Sequence, residues 1–320
     1  MPYVLSVVIP TYNCCDLIKR HIDSVNSWSD LAYEIIVVDS YSNDGTLDAI
    51  RKSLKHQNLR IVERERGLYE SWNHAISMTS GDWVYISTAG DTISRDHLVH
   101  LMTIGDSHKA DVVISEPAFF SEDFKPIKKI KWPPRKIIEV LKLKEPKVIS
   151  PEQATSFSII LSPCCILGSS ASNIYRGNII RQRPFPTNFS GAGDTAWGIR
   201  NSSALRFCYT PKTGSKFIVH KKPSEDSYGK RMEILDLINN ETTEAARSLG
   251  GAILDEIGRC NNFSFITSMF WNKRRSERGL VLKNPWKLLS WLKSSIAYAY
   301  FRGRLGLSRK KMERILCKKS

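Results

Sequence analysis

The sequence predicts an α/β body, a doubly wound sheet with helices on its faces, followed by a helical extension. Three observations lead there. Short β-branched runs alternate with amphipathic segments over the first 115 residues, each run stops at a cluster of polar residues, and from about residue 228 the pattern turns helical and stays so. At 320 residues the chain can bury a full core and exceeds the usual single domain. That length suits a body of about 200–250 residues with an appendage.

The elements follow in order. YVLSVVIP (3–10) is a short apolar run closed by Pro10, as expected of a strand buried on both faces. In CDLIKRHIDSVNSW (15–28), Leu17, Ile18, His21, Ile22 and Val25 recur near helical spacing. YEIIVVDS (33–40) reads as a second buried strand, and DGTLDAIRKSLKHQ (44–57) as a helix with Asp44 as its cap. LRIVERE (59–65) is a third strand, LYESWNHAISMTS (68–80) a helix, GDWVYIS (81–87) a fourth strand, and 97–115 a further helix and strand. Residues 121–151, rich in Lys and Pro, are expected to leave the sheet as a hairpin or flap. Apolar order returns at 156–180, 204–211 and 215–221. The body is therefore set at residues 1–225 and the extension at 226–320.

Charge divides the chain in the same way. Residues 261–320 hold 15 Lys and Arg against Glu277 and Glu313, and so carry +13 of the net +15. A nearly neutral body with a basic tail points to an anionic surface, either membrane or nucleic acid. WKLLSWLKSSIAYAYF (286–301) is too short to span a bilayer, but Leu288, Leu289, Leu292, Ile296 and Tyr300 share a face between basic clusters. Those features suit an interfacial helix on an anionic leaflet; a helix packed on its own domain is the plainer alternative. No nucleic-acid-binding motif accompanies the tail, so nucleic acid is not expected as a partner. The start of the chain lacks a basic n-region and carries Pro10 within its apolar run, so no secretory leader is expected. The seven cysteines include no CxxC, which suggests neither a zinc site nor a disulfide framework and fits a reducing cytoplasm.

Each strand end carries polar residues where a doubly wound fold places its ligand. Pro10, Thr11, Tyr12 and Asn13 close the first strand, Asp39 and SYSNDGT the second, and Thr88, Ala89, Gly90 and Asp91 the fourth. No turn has GxGxxG or GxxxxGK[ST], so neither a dinucleotide fingerprint nor a P-loop is present. A nucleotide would instead be gripped by side chains such as Asp39, with a cation on its diphosphate. Oxygen ligands suit Mn2+ or Mg2+, and Asp91 is a candidate ligand. Taken singly, each residue has a plainer reading: Asp39 a turn residue, SNDGT a tight turn, Asp91 a cap.

Taken together, SVVIPTYN, EIIVVDSYSNDGT and ERGLYESWNHAISMTSGDWVYISTAGD resemble glycosyltransferase family 2, the inverting group with the GT-A fold. Val8–Asn13 match its V-I-P-T-Y-N, Val37–Thr46 its V-V-D-D-G-S-T-D-G-T, and Glu65–Asn73 a subgroup pattern D-x-G-I-Y-D-A-M-N. The resemblance implies a Rossmann-like mixed sheet flanked by helices. It implies a nucleotide-sugar site lined by Pro10, Thr11, Tyr12, Asn13, Asp39, Gly67, Asn73, Thr88, Ala89 and Gly90, with Arg66 towards the diphosphate. TAGD stands at the family's D-x-D, with Thr88 and Gly90 in place of acids, as in a subgroup with N-A-G-D. By the same resemblance Asp91 is a metal ligand, joined by His220. FSGAGDTAWGIR (189–200) stands where the family places its general base. Gly193 replaces the usual Glu, leaving Asp194 as the base; an N-cap aspartate is the alternative.

The expected activity is inverting transfer of a sugar from a nucleoside diphosphate, UDP favoured, to a glycan or lipid-linked acceptor. The context the family suggests is bacterial surface-polysaccharide synthesis, on the cytoplasmic face of the inner membrane with the tail on its surface. A second expectation is a sugar-nucleotide-binding protein that has lost catalysis, prompted by Thr88, Gly90 and Gly193. The helical tail equally suits a homo-oligomer.

Overall fold

The computed structural model describes residues 3–128, 130, 132–219 and 228–249, with side chains from 233 in the last stretch. His220, the basic segment 261–320 and the helix expected at 286–301 lie outside the described residues. The described residues fall into two compact units. One comprises Met1–Val148, Leu167–Asp194 and Arg206–Glu225; the other comprises Ile149–Ile166, Thr195–Leu205 and the described chain beyond Asp226.

The first unit begins with the alternation expected from sequence. β1 (Leu5–Thr11), α1 (Cys15–Asn26), β2 (Ala32–Asp39), α2 (Thr46–Ser53), β3 (Leu59–Glu63), α3 (Leu68–Ser77) and β4 (Trp83–Ile86) follow one another. Leu5, Val7 and Val8 of β1 and Ile35 to Val38 of β2 are fully buried. A sheet covered on both faces removes the reason for polar alternation, so these strands read as continuous apolar runs. Ile18, His21, Ile22 and Val25 are the buried face of α1, as their spacing predicts. The cap of α2 is Gly45 in the left-handed region (φ 91°), not Asp44. Asp44 lies one residue earlier and accepts the Thr46 N–H at 3.0 Å.

Beyond β4 come β5 (Thr92–Ile93), α4 (Arg95–Ser107), β6 (Val112–Ile114), β7 (Ala118–Ser121), α5 (Pro133–Leu141) and β8 (Lys147–Val148). The excursion at 121–151 thus contains a helix and a short strand. After α6 (Pro151–Leu161), the chain returns with β9 (Asn173–Arg176), α7 (Gly177–Gln182), α8 (Gly193–Asn201), β10 (Phe207–Tyr209), β11 (Ser215–Val219) and α9 (Tyr228–Ser248). The main sheet runs β3-β2-β1-β4-β9-β6-β10-β8. β1 to β4 are mutually parallel, β9 runs antiparallel to both β4 and β6, and β8 is antiparallel to β10. The sheet is therefore mixed. β5, β11 and β7 form a second, three-stranded sheet.

At the amino end of β1 and β2 a buried carboxylate ties the sheet to its loops. Glu34 accepts from the Ser6 hydroxyl at 2.7 Å and from the Ser80 N–H and hydroxyl at 2.6 and 2.8 Å, and pairs with Arg60. Burial opposes its ionisation, but these donors and Arg60 outweigh it and hold its pKa below the usual carboxylate value.

In the second unit α6 opens on a capping box. Ser150 Oγ accepts the Gln153 N–H at 3.2 Å while Gln153 Oε1 accepts the Ser150 N–H at 3.1 Å. Ala154 to Leu161 are all buried, while Pro151 and Glu152 of the first turn are exposed. Arg200 of α8 donates to both oxygens of Glu241 of α9, at 2.8 and 2.6 Å. No helix among the described residues is long and apolar enough to cross a membrane.

Candidate active site

Parallel strands bring their carboxyl ends to one edge of the sheet, and the polar residues named from sequence collect there. Thr11 and Asp39 are register partners across β1 and β2. Thr11 Oγ1 donates to Asp39 Oδ1 at 2.7 Å. Ser42 then donates its N–H to Oδ2 and its hydroxyl to Oδ1, both at 2.7 Å. The same hydroxyl accepts the Asn13 N–H at 2.9 Å, and Asn13 Oδ1 accepts the Asn43 N–H at 3.0 Å. A second set runs beside it. Asp44 accepts from the Cys15 N–H at 2.9 Å and from the Thr46 hydroxyl at 2.6 Å, and that hydroxyl accepts the Cys14 N–H at 2.9 Å.

The two loops after β1 and β2 are thus laced into one rigid floor, and Asn13 and Tyr41 adopt left-handed φ of 42° and 53° within it. Asp39 is fully buried, with three donors on its two oxygens. Its observed work is to orient Thr11 and Ser42. Tyr12 (41% exposed), Tyr41 (54%) and Leu68 (49%) face solvent, alongside the exposed polar residues Asn13, Asn43 and Asp44. The Arg66 guanidinium lies 4.2 Å from the Tyr12 ring centroid, which brings the start of α3 to the end of β1. Pro10 is the penultimate residue of β1, and Gly67 is the N-cap of α3.

The TAGD turn follows β4. Thr88 and Ala89 are half-buried, and Gly90 is buried with φ 92°, in the region that favours glycine over an acid. Asp91 is buried, and both carboxylate oxygens have donors: the Thr88 hydroxyl at 2.8 Å and the Ile218 N–H at 3.0 Å. Asp91 therefore joins the turn to β11. Burial pushes its pKa up to about 7, against the pull of those two donors.

His21 braces the turn from α1. Its Nδ1 lies 3.0 Å from the Asp91 carbonyl, which can only accept, so Nδ1 carries the proton and Nε2 accepts from Ser87 Oγ at 3.3 Å. Burial lowers the His21 pKa to about 4, in keeping with a neutral ring. Among the described residues Asp91 by itself does not make a ligand set for a divalent cation, and His220, expected beside it, lies outside them. One carboxylate is present, it is buried, and its oxygens are engaged. Among the described residues no three His, Cys, Asp or Glu side chains converge as a metal site would need.

Asp194 stands in the first turn of α8, half-buried, as the last residue of the first unit. Gly193 before it has no room for a side chain. An added Cβ would lie 2.5 Å from the Pro186 carbonyl oxygen and from the Tyr69 ring. Asn73, expected at the nucleotide sugar, has its amide engaged elsewhere: Nδ2 donates to the Phe185 carbonyl and Oδ1 accepts the Phe185 N–H, both at 2.8 Å. Ser42, Asp44, His21 and Tyr69 were not singled out as site residues from sequence. SNDGT signalled Ser42 only as part of a turn, Asp44 was read as a helix cap and His21 as one of the recurring positions of its helix, and nothing local marks Tyr69.

Residues 6–163 match the family described as Glycosyl transferase family 2. A poly(ribitol-phosphate) beta-glucosyltransferase of Bacillus spizizenii is 29% identical over 118 residues, 35% of this chain and 19% of that one. An abequosyltransferase of Salmonella typhimurium is 29% identical over 119 residues, 35% of each. The chain thus aligns with about a fifth to a third of the length of these curated relatives.

Among solved structures, S. aureus TarS 1-349 in complex with UDP superposes with a TM-score of 0.56 at 17% identity, covering 96% of this chain and 93% of that one. Glucosyl-3-phosphoglycerate synthase from Mycobacterium tuberculosis, solved with Mn2+, UDP and glucosyl-3-phosphoglycerate, gives 0.51 at 18% identity, covering 76% and 80%. The motif order, the mixed sheet and the segment matched agree: residues 6–163 form a domain of the glycosyl transferase family 2 type, and the chain has the GT-A fold.

Proposed function

We propose that the protein transfers a sugar, with inversion, from a nucleoside diphosphate to a hydroxyl of a glycan or lipid-linked glycan during bacterial surface-polysaccharide synthesis. The observation that carries this reading is the lacing of Thr11, Asn13, Asp39 and Ser42 into a preorganised floor under exposed Tyr12 and Tyr41. Such a floor costs little further ordering when a nucleotide settles on it. The names of two relatives, a poly(ribitol-phosphate) beta-glucosyltransferase and an abequosyltransferase, support the context. UDP in two of the solved structures supports a uridine donor.

In this reading Asp194 takes the proton of the acceptor hydroxyl. The freed oxygen bonds to the anomeric carbon from the face opposite the diphosphate. The bond from that carbon to the diphosphate oxygen breaks, and the nucleoside diphosphate departs with the electron pair. Arg66, beside Tyr12, supplies positive charge on the side of the departing diphosphate. A divalent cation supplies similar charge when one is bound, as the Mn2+ of the mycobacterial enzyme illustrates. The described residues of this chain do not compose its ligand set, so no step is assigned to it.

A donor screen tests the reading, by thermal shift with UDP-glucose, UDP-N-acetylglucosamine and GDP-mannose, each with and without Mn2+ or Mg2+. Asp194→Asn is expected to lower turnover about 10²–10⁴-fold with donor binding kept. Turnover unchanged by that substitution would sink Asp194 as base. A parent protein that binds a donor but neither transfers nor hydrolyses it would instead support the second reading, a sugar-nucleotide-binding protein. Gly193 and the engaged oxygens of Asp91 favour that reading.

We further propose that residues 261–320 hold the protein to the anionic cytoplasmic face of the inner membrane. Flotation with phosphatidylglycerol vesicles is expected for the full chain at low salt. It should be lost in high salt or on removing 261–320; flotation without the tail would refute this role.

A further inference from the structure

We propose that Tyr69 and Asn73 of α3 are positioning residues that set where Asp194 stands relative to the donor. This rests on the reading of Asp194 as the base.

Segment 185–193 enters α8 through a single 3-10 turn, Ser190–Ala192, with Ser190 at a left-handed φ of 49°. α3 fixes it. Both atoms of the Asn73 amide are paired with a single peptide group, that of Phe185, 112 residues away. The Phe185 ring is buried and stacks on Tyr69 with centroids 5.7 Å apart, while its edge meets Trp72 at 5.2 Å. The Tyr69 hydroxyl donates to the Gly191 carbonyl at 3.2 Å. Its ring also fills the volume a side chain at 193 would need.

α3 therefore grips this segment at Phe185, at Gly191 and at Gly193, the last immediately before Asp194. The first turn of the same helix follows Arg66, which lies on the Tyr12 ring at the nucleotide end of β1. One short helix thus joins the strand end that would hold the donor to the chain that carries the base. A shift of about 1 Å in such a spacing is enough to cost on the order of 10²-fold in rate.

The test compares Tyr69→Phe, Asn73→Ala and Asp194→Asn in the full chain. Affinity for UDP is measured by calorimetry, kcat and KM are measured on a donor from the screen, and amide exchange is followed over 185–194. Tyr69→Phe removes one hydroxyl and keeps the ring, so it guards against a variant that fails to fold. Expected are UDP affinity within twofold of the parent, a ten- to hundredfold fall in kcat with donor KM unchanged, and faster exchange confined to 185–194. A shifted acidic limb of the pH–rate profile is also expected.

Loss of UDP affinity in either α3 variant would overturn the proposal by making the residue a nucleotide contact. A kcat within twofold of the parent in both would overturn it as well. Turnover surviving Asp194→Asn would remove the base assignment itself, a result separable from both of these.

Discussion

Asp39 shows how one residue can serve a site from beneath its surface. Three donors converge on a carboxylate with no exposure, and two of them belong to Ser42, whose hydroxyl in turn receives the Asn13 N–H. Asp39→Asn keeps one acceptor oxygen and turns an NH2 towards a donor. An unsatisfied buried polar pair of this kind costs about 1–3 kcal/mol. Urea denaturation should record that loss, and calorimetry should show UDP binding weakened through the loosened floor. Full stability with full affinity would mean that the lattice carries neither. That Thr11, Tyr12, Asn13 and Asp39 meet at one edge was legible because the strand ends of a doubly wound sheet share it. That Asp39 points into a web of donors was not, because the direction of a side chain in an irregular loop leaves no period in the sequence.

Among the elements, those read correctly from sequence were the ones whose faces are both buried or whose apolar positions recur at helical spacing. β1, β2 and β4 and helices α1 to α4 are of this kind. β9 was hidden in a longer apolar stretch, for four residues reading Asn-Ile-Tyr-Arg carry no alternation to mark a strand. β5 has two residues and exists only through its partners in β11. The link between α3 and 185–193 is equally silent, since nothing near Asn73 announces a partner 112 residues on.

Packing of α4 on the sheet gives a sharp test. Gly105 lies against Trp83 of β4 and Val113 of β6, and an added Cβ would collide with the Trp83 ring. Gly105→Ala is expected to destabilise by about 1–3 kcal/mol, as overpacked cores do, despite the better helix propensity of alanine. A thermal melt at or above that of the parent would show that α4 can lift away without cost.

For the molecule as a whole, acid is the revealing perturbation. His21 and His97 are held near 4 by burial, below the ordinary 6.5, so between those values the unfolded chain binds protons the fold refuses. Stability rises with pH across that window and is lost as pH falls through it. Asp91, raised to about 7, acts in the opposite sense, since the fold takes up its proton before the unfolded chain does and gains stability as pH falls from about 7 towards 4. Two imidazoles against one carboxyl leave a net loss on acidification. Urea midpoints at pH 7 and pH 5 should therefore fall with acid, and fall more steeply in Asp91→Asn. An equal or shallower fall in that variant would contradict the assigned direction.

The place of β9 has a consequence in time as well as in space. It stands between β4 and β6, pairing antiparallel with both, yet it leaves the ribosome some sixty residues after β6 and about ninety after β4. During synthesis β1 to β4 can assemble at once, since β4 pairs with β1, which β2 and β3 have already joined. The outer edge of β4 then waits, an apolar Trp-Val-Tyr-Ile strand with open backbone donors and acceptors, until residues 173–176 arrive to close it. The half of the chain that builds the proposed nucleotide floor is thus born with a sticky margin, and the half that carries Asp194 brings the strand that seals it.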